Sequence, residues 1–152
     1  LDLDYRSNLW SGMAQARSRV AAVLSRVDVA VGNRQECEMA VGVSDPEGAA
    51  DALLERGVKL AIVKQGPKGT LAKTADERVW VDAWDVDVIN GLGAGDAFGG
   101  ALIHGLVEGW DLERTIRYAS AAGAYVCLHI ECSTAMPTLE QLSTFVETGV
   151  LP

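Results

Sequence analysis

The stretch Val88-Ile89-Asn90-Gly91-Leu92-Gly93-Ala94-Gly95-Asp96-Ala97-Phe98-Gly99-Gly100-Ala101-Leu102 restricts what this chain can fold into more than any other. An apolar, strand-like run ends at Asn90. Three alternating glycines follow, and an acid then stands at the start of an amphipathic helix. Glycine lets a backbone turn sharply and pass close to a ligand. A helix start offers unpaired amides and the positive end of the dipole. Together these form a seat for a phosphate or another anion. A carboxylate repels phosphate, so Asp96 is not there to bind it. An acid beside the seat can accept a proton from a hydroxyl that attacks phosphorus. The pattern therefore points to phosphoryl transfer to an alcohol, with Asp96 as base. The plainer reading makes Asp96 a helix N-cap, a position that Asp favours. On the residues alone both stay open.

Two other glycine-rich motifs are excluded. A dinucleotide fingerprint needs glycine at the first, third and sixth places, and counted from Gly91 the sixth place is Asp96. A P-loop needs Gly-Lys followed by Ser or Thr, a triplet absent from the chain.

Asn90-Gly91-Leu92-Gly93-Ala94-Gly95-Asp96, followed by Ala97-Phe98, resembles the Asp-Thr-x-Gly-Ala-Gly-Asp signature of the ribokinase-like (PfkB) carbohydrate kinases. The resemblance implies that the turn is an anion hole for the transferred phosphate. Gly93, Ala94 and Gly95 would donate amides, and Asp96 would deprotonate a sugar hydroxyl. Two departures stand out: Asn90 replaces the first Asp and Gly91 replaces the Thr. In relatives this neighbourhood helps hold a monovalent cation, which the departures put in question here. The longer wording through Ala101 is similar to the 5-dehydro-2-deoxygluconokinases, the sugar kinases of myo-inositol breakdown. The opening Leu1-Asp2-Leu3-Asp4-Tyr5-Arg6 with Trp10 suits the same subgroup.

Length and composition set the bounds. With 152 residues the chain can bury a sizeable core. A formal net charge of −8 opposes nonspecific binding to nucleic acid or to anionic membranes. Cys37, Cys127 and Cys132 lack metal-like spacing and suit reduced thiols in a cytoplasmic protein. No apolar run reaches membrane-spanning length, and the start lacks a signal-peptide pattern. Leu1-Asp2-Leu3-Asp4 reads as a strand already under way without an initiating Met. In the family that strand lies mid-chain, so the resemblance covers about the C-terminal half of a full kinase. The half with most sugar contacts and the lid would be absent.

The rest of the chain alternates strands and helices. Helices are expected over Ser11–Ser25, after the N-cap Asp45 with Pro46, from Ala97 to Glu108, from the N-cap Asp111 to about Ile130, and from Leu139 to Thr148 behind the N-cap Thr138. Val27 to Gly32 and Val58 to Val63 suit buried parallel strands. Thr70–Lys73 and Arg78–Val81 suit edge strands around a polar turn. Arg6 pairs with Asp2 or Asp4, or steers an anion. Asn33-Arg34-Gln35-Glu36 follows a strand directly and forms a capping-box variant, with Asn33 as cap and Glu36 at its third position. The same Asn-x-x-Glu pattern is the one that ribokinase-like enzymes place near phosphates and magnesium, so the resemblance gives Asn33 and Glu36 a metal role. It also implies nucleotide contacts by Lys64 and Gly66 in a Gly/Pro-rich turn, and by Ser120 and Gly123 in a small-residue run beside the adenine. His104 lies more than two turns inside its helix, too far in to act as base. His129 and Cys132 lack partners for zinc.

These readings imply an α/β fold with a mainly parallel sheet flanked by helices, the C-terminal part of a ribokinase-like domain spanning residues 1–152. The expected activity is ATP- and Mg2+-dependent phosphorylation of a sugar or sugar acid, with 5-dehydro-2-deoxygluconate as acceptor. Ribose, fructose, 2-keto-3-deoxygluconate and adenosine are the rival acceptors. A fragment that binds nucleotide without turnover is the rival of another class. Neither nucleic acid nor membrane is an expected partner, and homo-oligomerisation is left open.

Overall fold

The computed structural model describes residues 1–151. The chain divides into two compact units, Leu1–Trp80 and the residues from Val81 onward.

The first unit is built on a sheet ordered β1-β2-β3-β4, with β1 Val29–Asn33, β2 Leu60–Lys64, β3 Thr70–Lys73 and β4 Arg78–Val81. β1 and β2 run parallel, with Asn33 opposite Lys64, and β3 turns back antiparallel to β2. Three helices belong to this unit: α1 Met13–Leu24, α2 Arg34–Val41 and α3 Pro46–Glu55. α2 packs on β1, and α3 on β2 and β3. The strands are short continuous apolar runs because their neighbours cover them; Ala61, Ile62 and Val63 are fully buried. The core joins these strands to Leu24, Met39 and Leu53.

The expected first strand is shorter than its alternation suggests. Leu3 N–H donates to Val31 O at 2.9 Å and Val31 N–H to Leu1 O at 3.0 Å, in parallel pairing. The ladder stops there because Asp4 adopts φ +22°, outside the extended region. Arg6 takes its salt-bridge reading, with Nε 3.1 Å from Asp4 Oδ1. Asp45 caps α3 through Gly48 N–H at 2.8 Å, with Pro46 in the first turn, as the sequence predicts.

The second unit is helical among the described residues: α4 Ala94–Val107, α5 Leu112–Cys127 and α6 Leu139–Thr148. α5 packs on both α4 and α6, around Ala97, Ala121, Val126 and Phe145. Asp111 and Thr138 cap their helices as expected. Two expectations fail in this unit. The run into Asn90 is not a strand; Val88 and Ile89 are 65% and 61% exposed. A strand needs a neighbouring ladder, and here the Ile89 and Asn90 amides both donate to the carbonyl that ends α5, Cys127 O. The helix expected from Ala97 begins three residues earlier, at Ala94.

Candidate functional site

Each unit gathers one group of the residues singled out above. In the first, parallel pairing of β1 and β2 sets Asn33 and Lys64 side by side at the strands' carboxyl ends, where open α/β sheets bind ligands. Asn33 Oδ1 accepts from Glu36 N–H at 3.0 Å, and Glu36 Oε2 accepts from Asn33 N–H at 2.6 Å. This is the capping box that the spacing predicts. It occupies one carboxylate oxygen of Glu36; the other has no hydrogen-bond partner among the described residues. Next to it the buried Cys37 thiol is pushed up to about 12, chiefly by burial and then by the negative charge of Glu36, with Lys64 pulling the other way. Lys64 thus lies within electrostatic reach of this helix start. Gly66 follows in an exposed turn at φ +56°, and a Cβ there would meet nothing within 4 Å. Beside it, Gln65 Nε2 is buried with no partner among the described residues. Sequence reading missed Gln65, since nothing in its neighbours signals an orphaned amide.

The second unit gathers Gly93, Ala94, Gly95, Asp96, Ser120 and Gly123. Gly93 is the N-cap of α4, at φ +86°, with no side-chain cap. Asp96 is therefore the third residue of the helix rather than its N-cap. This corrects the plainer reading of that acid: Gly93, not Asp96, holds the cap position and no side chain caps the helix, although a negative charge in the first turn still favours the helix dipole. Asp96 is exposed. Ala94 N–H makes only a long 3.4 Å bond to Gly91 O, and the Gly95 and Asp96 amides, in the first helical turn, have no partner among the described residues. A Cβ on Gly123 would stand 3.1 Å from Ala94 O, so α5 runs against the first turn of α4 at its glycine. Ser120 sits one turn earlier on the same helix, partly buried.

Asp96 also lines a cleft of about 490 Å³ whose other walls include Gly100, His104, Trp110, Tyr118 and Met136, a volume typical of small-molecule sites. His104 stands eight residues after Asp96, about 12 Å along the axis. It meets Trp110 edge-on at 5.1 Å, and its Nε2 is buried without a hydrogen-bond partner among the described residues. Trp110 and Tyr118 lie four residues either side of Arg114, whose guanidinium stands over both rings, so helical spacing joins these two walls, while Met136 comes from a separate segment. Ser120 and Gly123 do not line this cleft.

The turn itself is held by Asn90. Its Oδ1 accepts from Leu92 N–H at 3.0 Å, and its Nδ2 donates to Ile130 O at 2.9 Å. Among the described residues no cluster of three or more His, Cys, Asp or Glu side chains could hold a metal ion. Among the described residues no helix is long and apolar enough to cross a membrane.

Known proteins share this fold. The model of the pfkB family of carbohydrate kinases matches residues 1–139. The 5-dehydro-2-deoxygluconokinase of Geobacillus thermodenitrificans is 30% identical over 151 residues, covering 96% of this chain and 45% of that protein. A putative ribokinase II from E. coli, solved in complex with ATP and Mg2+, superposes with a TM-score of 0.87 at 31% identity over 96% of this chain and 47% of its own. A fructokinase double mutant from Vibrio cholerae, solved with fructose, ADP and potassium ion, gives 0.83 at 25% identity, covering 95% of this chain and 49% of its own. The chain thus spans about half the length of the relatives it matches. The α/β fold is that of the ribokinase-like proteins, and with the match running from Leu1 to Leu139, the chain belongs to the pfkB family of carbohydrate kinases.

Proposed function

We propose that the protein carrying this chain phosphorylates a hydroxyl of a sugar or sugar acid from ATP, with 5-dehydro-2-deoxygluconate as acceptor. The observation that carries this reading is Asp96: exposed, free of N-cap duty, beside two unpaired first-turn amides and on the wall of a cleft. In the proposed step the acceptor oxygen bonds to the γ-phosphorus as the bond from that phosphorus to the β–γ bridging oxygen breaks. ADP leaves, and the hydroxyl proton passes to Asp96. The turn at Gly93, Ala94 and Gly95 offers amides to the charge on the transferred phosphoryl; of the first-turn amides, those of Gly95 and Asp96 are the unpaired ones. Ser120 and Gly123 border the nucleotide on the same unit.

On the first unit, Lys64 and Gly66 take nucleotide contacts, and the orphaned Gln65 Nε2 provides a further donor there. Asn33 and Glu36 fit a magnesium role in one respect only: one Glu36 oxygen is left over from the capping box and could hold a magnesium-bound water. Magnesium, when bound, neutralises charge on the phosphates. The acceptor assignment rests on the Geobacillus relative, and ATP and Mg2+ on the E. coli neighbour. Three unpaired thiols suit the reducing cytoplasm.

The test is Asp96→Asn in the whole protein. Loss of a general base costs about 10²–10⁴ in turnover, while ATP binding stays near normal. Turnover within a few-fold of the native protein would remove the base assignment. A second reading is favoured by the chain's coverage of 45% of its relative: these residues alone bind nucleotide without turnover. Assaying the isolated chain and the whole protein with ATP and candidate sugars separates the two.

A further inference from the structure

The family signature implies a monovalent cation near the turn that opens at residue 90, and the groups at this turn do not fit one. A carboxylate at position 90 would offer such a cation negative charge, whereas Asn90 offers a neutral amide whose two ends are both engaged. Here Ile130 O already accepts from Asn90 Nδ2 at 2.9 Å, and Asn90 Oδ1 already accepts from Leu92 N–H at 3.0 Å. The partners fix the orientation of the amide. A backbone N–H can face only the oxygen of the side chain, and a backbone carbonyl only its NH2 group. Asn90 therefore presents a donor to Ile130 O and brings no negative charge for a cation to balance.

We infer that Asn90 is a positioning residue whose side-chain amide ties the glycine turn to Ile130, and that the turn needs no monovalent cation to hold its shape. One strut serves both ends of the turn. It fixes the backbone at Leu92, one residue before the Gly93 cap, and anchors it to the chain three residues past the end of α5. A carboxylate at position 90 would keep the bond from Leu92. It would set its second oxygen against the Ile130 carbonyl, lone pair to lone pair. That repulsion needs a cation or a proton between the two oxygens, and the amide of Asn90 removes the need.

That this turn serves phosphoryl transfer rests on the function proposed above; the strut does not, and its test reads stability. Thermal melts of this chain are compared in potassium chloride and in tetramethylammonium chloride at equal ionic strength. The native chain is expected to melt at the same temperature in both. Asn90→Asp is expected to melt lower in tetramethylammonium and to recover in potassium. Asn90→Ala, which removes the strut without adding charge, is expected to melt lower equally in both salts, and it serves as the test should the Asp variant fail to fold. A native melting temperature that rises in potassium, or an Asn90→Ala variant that melts like the native chain, would overturn the inference. In the whole protein, native turnover is expected to be unchanged when potassium is replaced. An inactive protein would count against the proposed kinase reaction and leave the melting result standing.

Discussion

The sulfur of Cys132 fills the space in which Gly93 would otherwise carry a side chain. Two constraints meet at this glycine. Its φ of +86° costs an L-residue about 1–2 kcal/mol, and any Cβ would collide with the thiol, with Met136 Cε next at 3.5 Å. Gly93→Ala should therefore lose more than the backbone strain alone. Adding Cys132→Ala should recover the part due to the collision and leave the strain. Melting of the single and double variants checks this, and equal melting temperatures would show that the thiol is no obstacle.

Glu36 can be divided into two roles by one substitution. Gln fills the same position in a capping box, so Glu36→Gln should keep α2 within about 0.5 kcal/mol of native stability, whereas Asn33→Ala should cost roughly 1 kcal/mol. If Glu36 also holds a magnesium-bound water, the Gln variant should need more Mg2+ for half-maximal turnover in the whole protein. An unchanged Mg2+ requirement leaves Glu36 as a cap alone.

These two sites show what could be read from the chain before its structure. The capping box at Asn33 and the caps at Asp45, Asp111 and Thr138 were legible because a cap is a local chemical statement, a side-chain oxygen a fixed number of residues from a free amide. Strands β3 and β4 were legible for a similar reason, since a polar turn separates them, but of the two only β4 is an edge; β3 lies between β2 and β4 and is buried from Thr70 to Ala72. The apolar run into Asn90 misled because such a run states only that a segment can be a strand; whether a partner ladder exists lies elsewhere in the fold. The start of α4 misled because Gly93, Ala94 and Gly95 look like a loop by propensity, yet a left-handed glycine can itself open a helix. The cleft beside Asp96 was not read, since Met136 joins Trp110 and Tyr118 there from a distant segment.

Cys37 gives the first unit a pH dependence. Its thiol is raised in the fold from 9.0 to about 12, mainly by burial. The unfolded chain therefore releases this proton first as pH rises. Stability due to the neutral thiol is complete below pH 9 and falls between there and about pH 12, by about 1.4 kcal/mol per unit. Cys37→Val, apolar and similar in size, should flatten that part of the curve relative to the native chain. Melts at a series of alkaline pH values decide it, and parallel curves for the two proteins would refute the buried thiol as the source.

The glycines of α4 make the sharpest contrast, because one substitution should act in opposite directions within one helix. Replacing an interior helical glycine by alanine gains about 0.5–1 kcal/mol by restricting the unfolded chain. At Gly99 and Gly100 a Cβ would meet nothing within 4 Å, so that gain should appear in full. At Gly105 a Cβ would stand 2.9 Å from both Thr115 Cγ2 and Oγ1 and 3.1 Å from the Trp110 ring. Thr115 is fully buried and its hydroxyl already donates to Asp111 O at 2.8 Å, so it has little room to retreat. Gly105→Ala should therefore destabilise, with overpacking of about 1–3 kcal/mol outweighing the helical gain. Melting temperatures should rise for Gly99→Ala and Gly100→Ala and fall for Gly105→Ala. A rise for all three would mean that α4 and α5 are less closely packed at Thr115 than these distances require.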